Sequence, residues 1–435
     1  MKGNFLPRLD ITAAEFESAL QPVLRRKNLF DTGITQTVQD IISKVQKHGD
    51  IALLEYTARL DGFDANDGAH LEISPTTLET AINKLPTQLR HSLEQAALRI
   101  ELFHQRQRES SWHYDDEDGT RLGQQLTPLD RVGVYVPGGK AAYPSSVLMT
   151  AIPARVAGVP EIIMVVPSSG GKVNDVVLAA AHLAKVNRVF RIGGAQAIAA
   201  LAFGTETVPQ VDKIVGPGNV YVAAAKKAVF GEVGIDMIAG PSELVIIADA
   251  GANPEWLVMD LFAQAEHDEQ AQSILISPES QLINQVEVSI QHLLPQMGRR
   301  DIIEASLIQN GALIEVESLQ QAVDLSNRIA PEHLELMVAD PEILLPKVRH
   351  AGAIFCGYWS AEVLGDYCAG PNHVLPTAGT PRFSSPLGVY DFQKRSSVVW
   401  FSPQGAAALS EVASTLAEHE KLFAHARSAE YRQRG

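Results

Sequence analysis

Val189-Phe-Arg-Ile192 runs into Gly193-Gly194 and then into the helical stretch Ala195 to Phe203; Lys213-Ile-Val215 does the same through Gly216-Pro-Gly-Asn219 into a helix that reaches Lys227. A short β-branched run, a glycine turn and a helix, repeated, is the signature of βα units in a parallel sheet. Further toward the N-terminus, Val132-Gly-Val-Tyr-Val136 stops at Pro137-Gly138-Gly139, and Ile162 to Val166 stops at Pro167-Ser-Ser-Gly. Toward the C-terminus, strand-like Leu244 to Ile247, Ser273 to Ile276, Ala312 to Val316 and Ala353 to Phe355 alternate with helical stretches, which makes two sheet units. The usual dinucleotide fingerprint, Gly-x-Gly-x-x-Gly with an acid about 20 residues on, is missing. The glycine turns still fall at the carboxyl ends of strands, where open α/β sheets bind ligands. Tyr135, Gln196 and Asn219 would point into that crevice; the competing reading of each is a turn or capping residue.

The bulk properties set limits. A chain of 435 residues makes about three units at ~150 residues each. With 46% hydrophobic and 20% charged residues it reads as globular. No apolar run approaches the ~20 residues of a membrane span. Met1-Lys-Gly-Asn4 leads into no apolar segment, so no secretory signal is expected. Two cysteines, Cys356 and Cys368, give neither a disulfide framework nor a Cys-pair zinc motif, which fits a reducing cytoplasm. Neither has an activating base nearby in sequence, so both read as core or supporting residues rather than nucleophiles. A net charge of -15 argues against nucleic acid as a partner.

Outside the βα units the pattern is different. Residues 1–130 read as helical, from the spacing of Val38, Ile41, Ile42 and Val45 and of Leu78, Ile82 and Leu85. Asp115 to Asp118 reads as a solvated acidic loop. Residues 376–403, rich in Pro, Ser, Gly and Thr, read as a linker. A last helix starts near Ser402-Pro403, an N-cap followed by proline in the first turn. No internal repeat is evident.

Some polar residues sit where apolar ones are expected. In the helix after Asn253-Pro254, apolar residues from Trp256 to Ala265 cover nearly the whole circumference, the pattern of a buried helix. Asp260, Gln264 and His267 share one stripe of it, either a hydrogen-bonded seam between helices or a cation site. In the last helix Leu409, Val412, Ala413, Leu416 and Phe423 form an apolar face with Glu420 in its middle. That acid either pairs with a neighbour or faces a cationic ligand group. Pro331-Glu332-His333, on a loop before Leu334 to Val338, is either surface decoration or an acid/base pair. Gly365-Asp-Tyr367 and Gly370-Pro-Asn-His373 add an acid and an imidazole.

Taken together these segments resemble the histidinol dehydrogenase family. The blocks that carry the resemblance are Val134-Tyr-Val-Pro-Gly-Gly139, Gly193 to Gly204, Lys213 to Asn219, Ala239-Gly-Pro-Ser-Glu243, Gln264-Ala-Glu-His267, Pro331-Glu-His-Leu334, Gly365-Asp-Tyr367 and Gly370 to Thr377. Each is weak alone; in this order, from about Thr37 to the last helix, they are specific. The resemblance implies an α/β fold of two incomplete Rossmann-like parallel-sheet domains, a helical N-terminal segment and a C-terminal helical tail. Residues 1–134 would hold the N-terminal helices and part of the first domain, and 135–242 the second domain with the NAD contacts. The remainder of the first domain, with zinc and catalytic residues, would be 243–385, and the tail crossing to a partner subunit 386–435.

It further implies oxidation of L-histidinol through L-histidinal to L-histidine with two NAD, the last steps of histidine biosynthesis. Glu332 and His333 would be the general bases, and Tyr135, Gln196 and Asn219 the NAD contacts. Gln264, His267, Asp366 and His425 would bind one Zn2+ per subunit, and Ser242, His333, Glu420 and those ligands the substrate. The protein would be a homodimer with shared active sites. A related zinc dehydrogenase acting on another small alcohol or diol, such as a sulfonated propanediol, is the alternative within the enzyme class. Glu420 discriminates, because an acid suits a cation better than a sulfonate. A regulatory NAD- or zinc-binding protein of this fold would be expected to lack Glu332 or His333, and both are present.

Overall fold

The computed structural model describes residues 6–24, 32–138 and 143–433; Met1 to Asn4 and Gly139 lie outside the described residues. In chain order the strands are β1 (Arg8–Asp10), β2 (Glu72–Ile73), β3 (Trp112–Asp115), β4 (Arg121–Pro128), β5 (Arg131–Tyr135), β6 (Glu161–Val165), β7 (Arg188–Phe190), β8 (Lys213–Val215) and β9 (Gly234–Ile235). There follow β10 (Glu243–Ala248), β11 (Gln272–Ser277), β12 (Ala312–Glu315), β13 (His333–Met337), β14 (Ala353–Cys356) and β15 (Gln393–Trp400). The helices that matter to the site are α1 (Thr32–Asp61, broken at Gly49), α2 (Gly194–Phe203), α3 (Val220–Val229), α4 (Pro254–Ala265), α5 (Pro403–His419) and α6 (Phe423–Glu430).

One sheet has the order β2-β7-β6-β5-β8-β9 and another β1-β12-β11-β10-β13-β14. In each, three successive strands build outward from a central one before the chain crosses back to add two on its other side. The order reverses between β5 and β8 and between β10 and β13. Every pairing in them is parallel except β2 with β7. The strands are near-continuous apolar runs because helices cover both faces. Val132, Val134, Ile162 and Met164 enter one core, and Ile163, Val165, Phe190 and Ile214 the core on the opposite face. Gly133 leaves room for Leu201 of α2, which a Cβ there would crowd at 2.9 Å.

Several expectations are corrected. The two large sheets repeat one topology, a duplication of strand order that needs no matching sequence. Residues 1–130 are not all helical: β1 to β4 lie among them. The 376–403 segment is not a linker, since Leu387, Val389 and Phe392 are buried and β15 pairs along its whole length with β4. With β3 these strands form a third, antiparallel sheet, β15-β4-β3. Asp115 belongs to β3, and the turn to β4 spans Asp116 to Gly119. β2 and most of β5, placed before residue 135 in the division above, belong to the sheet of residues 135–242, whereas β1 joins the other. Among the described residues no helix is long and apolar enough to cross a membrane.

The tail starts as expected, with the Ser402 hydroxyl accepting from the Gly405 N–H at 2.9 Å. The α5 helix then ends at His419. Leu422 N–H donates to the Ala417 carbonyl and Lys421 N–H to that of Glu418, a Schellman turn with Lys421 at φ 62°. Glu420 is thus a helix-end residue and not the middle of a continuous face. The apolar face itself is exposed, Leu416 by 61% and Phe423 by 63%.

Candidate active site

The site lies in a cleft of ≈ 1320 Å³ between the two large sheets. Its walls come from opposite strand ends. From the first sheet come the carboxyl ends: Tyr135 closes β5, Gln196 is in the first turn of α2 after β7, and Asn219 follows β8. From the second come the amino ends: Ser242 precedes β10 and His333 opens β13. Gln264 lies at the carboxyl end of α4, with His267 just beyond it. Ser242, Gln264, His267, Glu332, His333 and Asp366 all line the cleft with Tyr135, Gln196 and Asn219. Glu420 and His425 do not; both are exposed on the tail.

On the first wall, Asn219 is a helix cap that borders the cleft. Its Oδ1 accepts from the Tyr221 and Val222 N–H groups at the start of α3, each at 3.1 Å. The preceding loop is held by a buried Lys226–Asp236 ion pair. Lys226 donates to the Gly216 carbonyl at 2.9 Å, and Asp236 accepts from the Gly216 N–H at 2.7 Å. Tyr135 OH accepts from the Gly194 N–H at 3.1 Å. Gln196 is fully buried, and among the described residues neither of its amide atoms has a hydrogen-bond partner. An orphaned buried amide costs ~1–3 kcal/mol. A polar ligand group that reached it would relieve that cost.

Glu332, on the loop before β13, and His333, the first residue of that strand, are buried at the second wall and not surface decoration. His333 Nδ1 lies 3.1 Å from the Glu243 carbonyl, which can only accept, so Nδ1 carries the proton of the neutral ring. Nε2 is left without a hydrogen bond, 3.5 Å from Asp366 Oδ1. Burial alone would lower the His333 pKa; Glu362, Glu332 and Asp366 outweigh it and raise it well above the ordinary value. Glu332 accepts from the Glu243 N–H at 3.0 Å, and burial pushes its carboxyl up to about 8. Burial likewise opposes ionisation of Asp366, but the approach of His333 and the charges of His373 and His267 hold it below the usual carboxylate range.

These groups suit a cation. His333, Glu362 and Asp366 bring donor atoms within 4.8 Å of one another. His267 Nδ1 is 3.2 Å from the Gln264 carbonyl, which leaves Nε2 outward. With its amide turned so that both ends are satisfied, Gln264 donates to Glu362 at 2.9 Å and its oxygen shares the Glu243 N–H with Glu332, at 2.7 Å, with a lone pair to spare. The carboxyl end of α4 adds the negative end of a helix dipole.

The sequence reading missed Glu335 and Glu362. Glu362 N–H donates to Glu335 at 2.8 Å, and each carboxyl has one oxygen buried without a partner. Glu335 had a signal, an acid inside the apolar run Leu334 to Val338; Glu362 had none. Two further readings are corrected. The α4 helix is not buried all round, since Trp256 is 42% exposed and rests on Trp359. Cys356 is exposed and so not a core residue, whereas Cys368 is half-buried and packs against the core as a supporting residue.

Comparison with known proteins follows the same lines. The family model for histidinol dehydrogenase matches residues 24–433. A histidinol dehydrogenase of Pseudomonas putida is 59% identical over 98% of this chain and 97% of its own length. One of Methylococcus capsulatus is 59% identical over 99% and 98%. The crystal structure of histidinol dehydrogenase from Elizabethkingia anophelis superposes with a TM-score of 0.94 at 32% identity, covering 100% of this chain and 99% of that one.

Proposed function

The chain belongs to the histidinol dehydrogenase family, and from that premise we propose that it oxidises L-histidinol through L-histidinal to L-histidine with NAD. The balance is one L-histidinol, two NAD+ and one water to one L-histidine and two NADH, with release of protons. One observation carries the reading: the orphaned Gln196 wall and the Glu332–His333 wall face a single cleft. A nucleotide and a small alcohol would meet there.

Gln264, His267 and Asp366 would hold a zinc ion, with His425 of the partner subunit as a further ligand. When bound, zinc supplies a redox-silent Lewis acid that orients and polarises the substrate. NAD, when bound along Tyr135, Gln196 and Asn219, supplies the electron acceptor. His333 takes the hydroxyl proton at Nε2, Nδ1 being committed to the Glu243 carbonyl; a cation held at Asp366 would offset the acids that otherwise keep Nε2 protonated. Glu332 removes a proton from the water that attacks the aldehyde. A carboxyl pushed up to about 8 is well matched to that task near neutral pH. Ser242 and the partner subunit's Glu420 complete the contacts to the substrate, the latter facing its cationic end.

Two copies are needed for this arrangement. The exposed apolar face of α5 and α6, and the absence of Glu420 and His425 from their own chain's cleft, support a tail that serves the other subunit. The test is the NADH formed per L-histidinol consumed, with an aldehyde trap present. Two NADH and little trapped aldehyde are expected. One NADH would refute the four-electron reaction, and trapping of most of the intermediate would refute oxidation at a single site.

A further inference from the structure

We infer that Asp61 recognises the adenosine ribose of NAD and sets a preference for NAD over its 2′-phosphorylated form. The inference rests on the reading that the cleft takes NAD. In dinucleotide folds an acid at the end of the second strand of the unit accepts from the ribose 2′-hydroxyl. The equivalent strand here is β6, which is followed by Val166-Pro-Ser-Ser169 without an acid. Pro167 fills the space between the ends of β5 and β7 so closely that a Cβ on Gly138 or Gly193 would collide with it.

The carboxylate comes instead from outside the sheet. Asp61 is the last residue of α1, and its main chain and side chain tie it to two strand ends. Its carbonyl accepts from the Gly170 N–H at 3.3 Å, in the loop after β6. Its Oδ2 accepts from the Gly193 N–H at 3.2 Å, in the turn after β7. The residue lines the cleft beside Tyr135 and the unpartnered, fully buried Gln196. Among the described residues Oδ1 has no hydrogen-bond partner and no cation pairs with the carboxylate. Burial raises its pKa to about 6, so it is ionised at neutral pH. Such a group accepts from a ribose hydroxyl, and a 2′-phosphate in the same place would set like charges against each other with nothing between them.

The competing account is that Asp61 only anchors the Gly193 turn. Calorimetric titration of the intact enzyme with NAD, with NAD lacking the adenosine 2′-hydroxyl, and with NADP separates the two. On the unaltered enzyme the deoxy analogue is expected to bind about tenfold more weakly than NAD, the loss of one hydrogen bond to a charged group. In Asp61→Asn, the deoxy penalty should shrink several-fold and NADP should gain on NAD. Equal binding of NAD and the deoxy analogue to the unaltered enzyme would overturn the role of Asp61, and that comparison needs no variant. It would leave the cleft reading intact so long as Gln196→Leu weakens NAD. If Gln196→Leu leaves NAD binding unchanged, the dinucleotide binds elsewhere and both readings fall.

Discussion

His333 and Glu332 are neighbours in sequence with different hydrogen-bonding commitments, and that difference assigns their tasks. His333 has Nδ1 held by a carbonyl, so the proton it takes and gives up sits at one defined atom, Nε2. Glu332 is a buried carboxyl braced by the Glu243 N–H. His333→Asn is therefore expected to slow oxidation of the alcohol, and Glu332→Gln chiefly that of supplied L-histidinal, each by about 10²–10⁴. Wild-type rates on L-histidinal in Glu332→Gln would show that water is activated elsewhere. Asp61 gives a prediction about stability. Its carboxyl, near 3.8 when unfolded, is raised to about 6 by burial. Well below pH 3.8 it is neutral in both states and burying it costs no charge desolvation. As pH rises through 6 the folded form must bury a charge, so stability is lost relative to a neutral side chain. The melting temperature of Asp61→Asn minus that of the unaltered protein should grow between pH 4 and 6.5 and then level off. A gap independent of pH would mean that the carboxylate is not desolvated.

At the level of elements, legibility in the sequence followed burial. Lys213-Ile-Val215 coincides with β8 to the residue because a strand covered on both faces must be apolar throughout and must stop at its glycine turn. Arg121-Leu-Gly-Gln-Gln-Leu-Thr-Pro128 and Gln393-Lys-Arg-Ser-Ser397 announce nothing of the kind. Their sheet has no deeply buried face, and its pairing joins segments far apart in the chain. The site divides in the same way. Glu335 interrupts an apolar run and could have been noticed. Glu362 and Asp61 look like ordinary helix-terminal acids until tertiary packing buries them. No glycine marks the break before α6, because Lys421 takes the left-handed position. A left-handed L-residue costs about 1–2 kcal/mol, whereas glycine loses about 0.4–1 kcal/mol of that advantage through chain entropy. Lys421→Gly should therefore stabilise the turn by up to about 1 kcal/mol, and Lys421→Val should destabilise it. Hydrogen exchange of the α6 amides measures both; less protection in Lys421→Gly would contradict the strain assignment.

For the molecule as a whole, two sheets of one topology face each other with opposite ends, the carboxyl ends of one and the amino ends of the other. Binding at the carboxyl ends is the rule for open α/β sheets; the amino-end wall is competent because α4 delivers Gln264 and His267 there. The cleft then has acids, imidazoles and amides from its own chain, but neither Glu420 nor His425. The proposed answer is the partner's tail, and it makes a quantitative prediction. Gln264→Ala disables the cleft, and His425→Ala disables the tail, so each variant alone is expected to be inactive. Suppose the two are mixed and allowed to exchange subunits under C₂ pairing. A shared site places both lesions in one cleft of each mixed dimer and leaves the other cleft whole. Random exchange makes about half the dimers mixed, each with one good site of two, so roughly a quarter of full activity should return. If each tail serves its own chain, both clefts of every mixed dimer carry a lesion and no activity returns. Native mass spectrometry of the mixture verifies the exchange, and an inactive mixture with exchange verified would assign His425 to its own subunit's site.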